Sequence, residues 1–322
     1  MRLSVPGNLL LAGEYLVLDE GGQGLAVAVE PRLRASATTS PGRTWSIRAI
    51  MGESSLLWHP GGGDDLPLAE AMILSCAEAL EVRGKSMPGP LAMEVDSSAF
   101  FVPGGRKAGF GSSAAAAVAI AMLTGRAAGL KDAHLIDFSV EAALAGHRVS
   151  QGGRGSGYDV LASLHGGCGI FTGGTKPGWK ALVALPSIHA ALVPGPAAVR
   201  SAEAVSAFRL WVARQTTEAR TILAAMKTSV CNLIQATTSG DADAFRSAMD
   251  QAGTAGRQLG DAIGYSAFIA PPPGFEAVKV KALGAGNELG LMLLQDLKLE
   301  SPDSTPAGCI AFRPTGGPKW LS

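Results

Sequence analysis

Gly104-Gly105-Arg106-Lys107-Ala108-Gly109-Phe110-Gly111-Ser112-Ser113-Ala114 leads directly into Ala115-Ala116-Ala117-Val118-Ala119-Ile120-Ala121-Met122-Leu123. The second stretch has almost no polar face, so it reads as a buried helix over 113–123. Glycines leave backbone N–H groups uncovered, and the first turn of a helix has amides without intrahelical partners. Together they make a site for an anion, a phosphate above all. Ser112 and Ser113 add hydroxyls for a phosphate oxygen or for a magnesium ion riding on it. A flexible turn before a buried helix would have the same letters, so the segment is weighed against the rest of the chain.

Two better-known phosphate signatures do not fit. A P-loop opening at Gly104 requires Gly-Lys-Ser/Thr after its spacer, and Gly109 is followed by Phe110. Gly109-x-Gly111-x-x-Ala114, with Asp132 at about the ribose-binding distance, meets the relaxed dinucleotide fingerprint. It follows a basic loop, however, and not the end of a strand.

Composition narrows the partners. Of 322 residues 42 are glycine, about 13% against a usual share of about 7%. The 27 basic and 27 acidic side chains cancel, so no long-range field favours nucleic acid or an anionic membrane. A hydrophobic fraction of 47% is enough for one or two packed cores. Cys76, Cys168, Cys231 and Cys309 are scattered, with no metal spacing, and are expected to be free buried thiols. Glu14 follows the N-terminus too closely for a signal peptide. The uncharged stretches 108–125 and 181–199 are respectively too short in apolar residues and broken by Pro186, Pro194 and Pro196. A cytoplasmic location without a membrane partner is expected.

Along the chain, short apolar runs predict strands at Leu9–Ala12, Tyr15–Leu18, Leu25–Val29 and Leu91–Val95. Helical spacing predicts helices over 67–82 and 113–123, and another capped by Asp132 and stopped by Gly152-Gly153. Ser163–Phe171 reads as a strand, and Gly173–Gly178 as a domain boundary. Beyond it come strands Leu182–Leu185 and Ala190–Val193, then long helix from Glu203 to Thr237 and from Asp241 to Ile263. Leu289–Gln295 and Cys309–Phe312 close the chain as strands. The mixture predicts two α+β domains, 1–178 and 179–322.

Three further glycine clusters join the first. They are Pro6-Gly7-Asn8 with Gly13-Glu14-Tyr15, His147-x-x-x-Gln151-Gly152-Gly153-Arg154-Gly155-Ser156-Gly157-Tyr158-Asp159, and Leu283-Gly284-Ala285-Gly286. In the second of these, Asp159 reads equally as a ligand-facing carboxylate or as a helix N-cap. In order and spacing the four clusters resemble the GHMP kinases, the superfamily of galactokinase, homoserine kinase, mevalonate kinase and phosphomevalonate kinase. The phosphomevalonate kinase branch is the most similar. Its marks are Asp96-Ser97-Ser98 with Phe100-Phe101, Lys107 two residues before Gly109, and the His147 to Asp159 cluster.

The resemblance implies a ribosomal protein S5 domain 2-like N-terminal domain, a ferredoxin-like C-terminal domain and an active site between them. It implies ATP and Mg²⁺ as cofactors and a small phosphorylated acceptor, phosphomevalonate, in a monomer or homodimer. Gly109, Phe110, Gly111, Ser112, Ser113 and Ala114 would bind ATP, with Ser113 on the metal. Lys107 would bridge donor and acceptor phosphates, and Asp159 would orient Lys107 and the acceptor without removing a proton. Asn8, Glu14, His147, Arg154, Ser156, Gly157, Ser201, Gly284, Ala285 and Gly286 would line the acceptor side. His147 reads equally as a buried structural histidine, and Arg154 as a solvated loop residue.

Two positions depart from the family pattern. Asn8 stands where a lysine is usual, and Asn287-Glu288-Leu289 where the third motif continues in glycine. Another kinase of the superfamily, acting on mevalonate or a sugar, and a non-catalytic ligand binder are the alternatives.

Overall fold

The computed structural model describes every residue except 41, 43, 103, 104, 154, 197–200, 285 and 295–304, and omits the side chains of 201 and 202. Of the sequence expectations, Gly104, Arg154 and Ala285, and the side chain of Ser201, therefore lie outside the described residues. The chain forms two compact units, each built from separated segments. One holds residues 1–8, 28–166 and 315–322, and the other 9–27 and 167–314. The sequence suggested a single division after residue 178. Strands Arg2–Ala12 and Gln23–Thr39 are long enough to contribute to both units.

In the first unit, residues 34–39 pair antiparallel with Leu91–Asp96, which runs parallel to Ser46–Met51. Ser54–His59 continues antiparallel. Leu91, Met93 and Val95 alternate inward as the pleat requires. To this unit belong the helices α1 (Pro67–Glu81), α2 (Ser112–Ala127), α3 (Asp132–Ser150) and α4 (Tyr158–His165). Helix α2 is buried almost all round, as its alanine-rich sequence predicts. Helix α3 packs close against α1 because Gly146 has no Cβ; one there would lie 2.5 Å from Met72 Sδ.

In the second unit, residues 23–27 pair antiparallel with Cys168–Thr172, whose hairpin partner is Gly178–Leu182. A separate antiparallel sheet has the order Val280–Ala282, Leu289–Leu293, Ala190–Pro194, Ile310–Ala311. Its apolar face includes Ala191, Val193, Val280, Ala282 and Met292. Helices α5 (Ser201–Ala213), α6 (Thr217–Ser239) and α7 (Ala242–Ile263) complete the unit. Thr216 caps α6 and Asp241 caps α7, each accepting backbone amides of the first turn. The fold is α+β.

Several elements differ from the sequence reading. Leu16–Leu18 is a short 3₁₀ turn, because Gly13 (φ 102°) and Tyr15 (φ 63°) bend the chain; burial alone accounts for its apolar letters. Ser163–His165 finishes α4, whose Val160, Leu161, Ala162 and Leu164 are all buried, so its pattern lacks the period that separates helix from strand. Gly173–Gly178 closes a hairpin inside the second unit. The long helix after Glu203 breaks at 214–216, where Gln215 has φ 50°. Asp132 begins α3 without capping it. Among the cysteines, all free, Cys76 and Cys168 are buried, Cys309 is half-buried and Cys231 is exposed. No helix among the described residues is long and apolar enough to cross a membrane.

Candidate active site

The glycine-rich segment before α2 starts as a hairpin that the sequence did not signal. Phe101 pairs with Lys107, and Val102 with Arg106. Its outer strand presents Arg106 and Lys107 at the surface. The chain then turns inward. The Ala108 amide donates to the Phe100 carbonyl at 2.9 Å, and the buried Phe110 ring packs on Phe100 with centroids 6.2 Å apart. Phe110 therefore anchors the loop from inside and offers a ligand only its backbone. Gly111, with φ 69°, is the N-cap of α2 and makes no side-chain cap. The first amides of a sixteen-residue helix are thus not capped by a side chain, the arrangement that receives an anion.

Asn8 braces this loop from below. Its amide donates to the Phe110 carbonyl at 3.0 Å, and its Nδ2 donates to Ser163 Oγ at 3.0 Å. Ser163 in turn donates to the Pro6 carbonyl at 3.0 Å. A Cβ at Gly111 would overlap the Asn8 side chain at 2.2–2.7 Å, so the glycine and the asparagine fit only as a pair. Asn8 is only 2% exposed. Where the sequence placed it among acceptor contacts, the structure gives it these buried partners.

Three expected residues converge within the first unit. The Nε2 atom of His147, in the last turn of α3, lies 3.1 Å from Ser113 Oγ in the first turn of α2. It lies 3.8 Å from Asp159 Oδ2 in the first turn of α4. The same nitrogen is 3.0 Å from Gln151 Nε2, a residue that belongs to the motif but was not singled out for the site. An amide nitrogen only donates, so His147 Nε2 accepts and the ring proton sits on Nδ1. Asp159 keeps a partly exposed carboxylate, and its Oδ1 accepts the Val160 amide at 2.9 Å. Gly157, with φ 90°, caps α4 and permits the tight turn that aims Asp159. Ser156 Oγ accepts the Tyr158 amide at a long 3.5 Å. Among the described residues, the Asp159 carboxylate faces His147 and no contact with Lys107 is found.

The second unit carries the other predicted residues. Gly284 (φ 63°) and Gly286 (φ 99°) form the third-motif turn, followed by Asn287 at φ 62°. The Asn287 Oδ1 atom is buried without a hydrogen-bond partner. Glu14 forms a buried ion pair with Lys281, whose ammonium also donates to the Ala282 carbonyl at 3.0 Å. The sequence offered one clue to Lys281, its place in the alternating Val278-Lys279-Val280-Lys281 run three residues before Gly284. Beside it, burial and the Glu14 charge push the Tyr15 hydroxyl up to about 12.

Chemically, the first unit combines an uncapped helix N-terminus, a hydroxyl, a carboxylate and two surface cations. No group of three His, Cys, Asp or Glu side chains suited to a metal occurs among the described residues. The hydroxyl and carboxylate that are present suit a magnesium ion whose remaining ligands are phosphate and water, since such ions need only one or two protein carboxylates.

Comparison with known proteins agrees with this inventory. Residues 71–167, which span α1 to α4 and the glycine loop, match the GHMP kinases N terminal domain. A phosphomevalonate kinase of Saccharolobus solfataricus is 28% identical over 167 residues, 52% of this chain and 47% of the relative. The chain thus spans about half the length of that curated relative. Among solved structures, the Lin0012 protein of Listeria innocua superposes with a TM-score of 0.79 at 19% identity, covering 99% of both chains. Phosphomevalonate kinase of Streptococcus pneumoniae, in complex with phosphomevalonate and AMPPNP, superposes with 0.70 at 17% identity, covering 91% of this chain and 92% of that one.

Proposed function

We propose, for a chain that carries a GHMP kinase N-terminal domain, that it transfers the terminal phosphoryl group of ATP to the phosphate of phosphomevalonate, giving diphosphomevalonate and ADP. The observation that carries the reading is the meeting of Ser113 and Asp159 around His147, at the uncapped N-terminus of α2. A curated phosphomevalonate kinase relative supports the choice of acceptor.

The residues divide the work as phosphoryl transfer requires, mostly by positioning and charge. Backbone amides from Gly109 to Ala114 receive the ATP phosphates. Ser113 and Asp159 would hold a magnesium ion, which when bound supplies positive charge to the phosphates. Lys107 lies between donor and acceptor phosphates and offsets their mutual repulsion. The acceptor oxygen attacks the γ-phosphorus, and the bond from that phosphorus to the β–γ bridging oxygen breaks as ADP leaves. A phosphomonoester has its second pKa near about 6, so at neutral pH the attacking oxygen is already ionised. A strong base is unnecessary, and an asparagine at position 8 is compatible with this acceptor. The ferredoxin-like description of the C-terminal part and the cytoplasmic setting belong to the same proposal.

The test is ADP release with magnesium and ATP against phosphomevalonate, mevalonate, galactose and homoserine. Turnover with phosphomevalonate alone is expected. Turnover on mevalonate or a sugar, with none on phosphomevalonate, rejects the acceptor while keeping the kinase.

A further inference from the structure

We infer that His147 is a positioning residue that turns the oxygen lone pairs of Ser113 toward the bound metal–nucleotide and does not itself touch the acceptor. The inference rests on the phosphoryl-transfer reading. His147 is 1% exposed, so no face of its ring is available to a ligand. Its Nε2 is the common neighbour of Ser113, Gln151 and Asp159, which come from α2, the end of α3 and the first turn of α4. A histidine buried only for packing needs one partner at each ring nitrogen, and any polar group would serve. This one joins the two side chains that the chemistry needs.

The hydrogen-bond polarity gives the contact a direction. Gln151 donates its amide to Nε2, which keeps that nitrogen an acceptor. The Ser113 hydroxyl, 3.1 Å away, then shares the single lone pair of that nitrogen as the second donor of a three-centre bond. A serine whose proton is held this way points its lone pairs elsewhere, where they can ligate a cation. With the ring removed, the hydroxyl would rotate freely among orientations, only some of which leave a lone pair for the metal. Groups that orient metal ligands in this way are typically worth about 10–100-fold in affinity or activity.

The experiment measures AMPPNP binding by calorimetry, with and without magnesium, for the wild type, His147→Ala, Ser113→Ala and the double variant. His147→Ala is expected to weaken magnesium-dependent binding about tenfold and to leave metal-free binding nearly unchanged. The double variant should bind no more weakly than Ser113→Ala alone, because the histidine acts through the serine. Gln151→Leu, at an exposed position, should weaken binding about threefold, the worth of one neutral hydrogen bond. It provides the same readout if His147→Ala does not fold. Additive losses in the double variant, or unchanged magnesium dependence in both His147→Ala and Gln151→Leu, overturn the inference. So does a raised KM for the acceptor with intact nucleotide binding. A protein that keeps the expected binding pattern but phosphorylates no acceptor rejects the kinase reading and leaves this one standing.

Discussion

Two polar clusters in this molecule differ in how completely they are satisfied. Around His147 the contacts stretch from 3.0 to 3.8 Å, Asp159 is partly exposed, and Ser113 stands at a helix start with no side-chain cap. Around Lys281 the ammonium is paired directly with Glu14, bonded to the Ala282 carbonyl and almost wholly shielded from water. The first cluster leaves hydrogen-bonding capacity for a ligand; the second spends its charge internally. Motif position alone does not separate them, since Glu14 and Asp159 both sit close to motif glycines. Exposure and unspent valence do.

The largest expected effect is on stability, in the second cluster. Lys281→Met leaves a buried carboxylate unpaired and should cost about 3–5 kcal/mol in urea unfolding, whereas pairing it with Glu14→Leu should restore most of that loss. A single Lys281→Met as stable as the wild type would erase the contrast between the clusters. In the first cluster Asp159→Asn should reduce the rate about 100-fold and leave the unfolding midpoint nearly unchanged. A variant that unfolds as readily as Lys281→Met would place Asp159 among structural groups.

Asn8→Ala sharpens the boundary between them. It removes the donor to Ser163 and the filler beside Gly111, at an expected cost of about 1–3 kcal/mol, with little change in acceptor KM. The smallest effect concerns residues that neither cluster uses. Burial pushes the Cys76 and Cys168 thiols up to about 12, so a thiol reagent at neutral pH should label the exposed Cys231 first. Labelling of Cys76 or Cys168 should appear only on unfolding.

Tyr15 supplies a pH signature of the closed cluster. Its raised pKa means that the folded state holds its proton more tightly than the unfolded chain. The stability this contributes is complete below pH 10 and is lost as the pH rises from about 10 toward 12. Tyr15→Phe should flatten that part of the stability profile, which can be followed by urea midpoints.

The parts legible in the sequence were those with strong local grammar. Alanine-rich α2, the capped α7 and the strand Leu91–Asp96 declare themselves by composition, cap or alternation. Leu16–Leu18 and Ser163–His165 did not, because short apolar runs buried on all sides have no readable period. The site divides in the same way. Ser113, His147 and Asp159, which the structure brings together, stand beside glycines that mark tight turns next to a helix start. The partnership of Glu14 with Lys281 was hidden because 267 residues separate them, and only tertiary packing brings the charges together. The contact of Asn8 with Ser163 was hidden for a related reason, since motif position does not tell which way a side chain points.

The most direct measurement of the central claim follows the phosphoryl group itself. With magnesium, phosphomevalonate and ATP carrying ¹⁸O on its γ-phosphoryl oxygens, ³¹P spectroscopy should show the isotope-shifted signal arriving as the terminal phosphorus of a diphosphate, with ADP formed in equal amount. Label found only as inorganic phosphate, or as a new monoester on a carbon-bound hydroxyl, would contradict transfer to a phosphate acceptor.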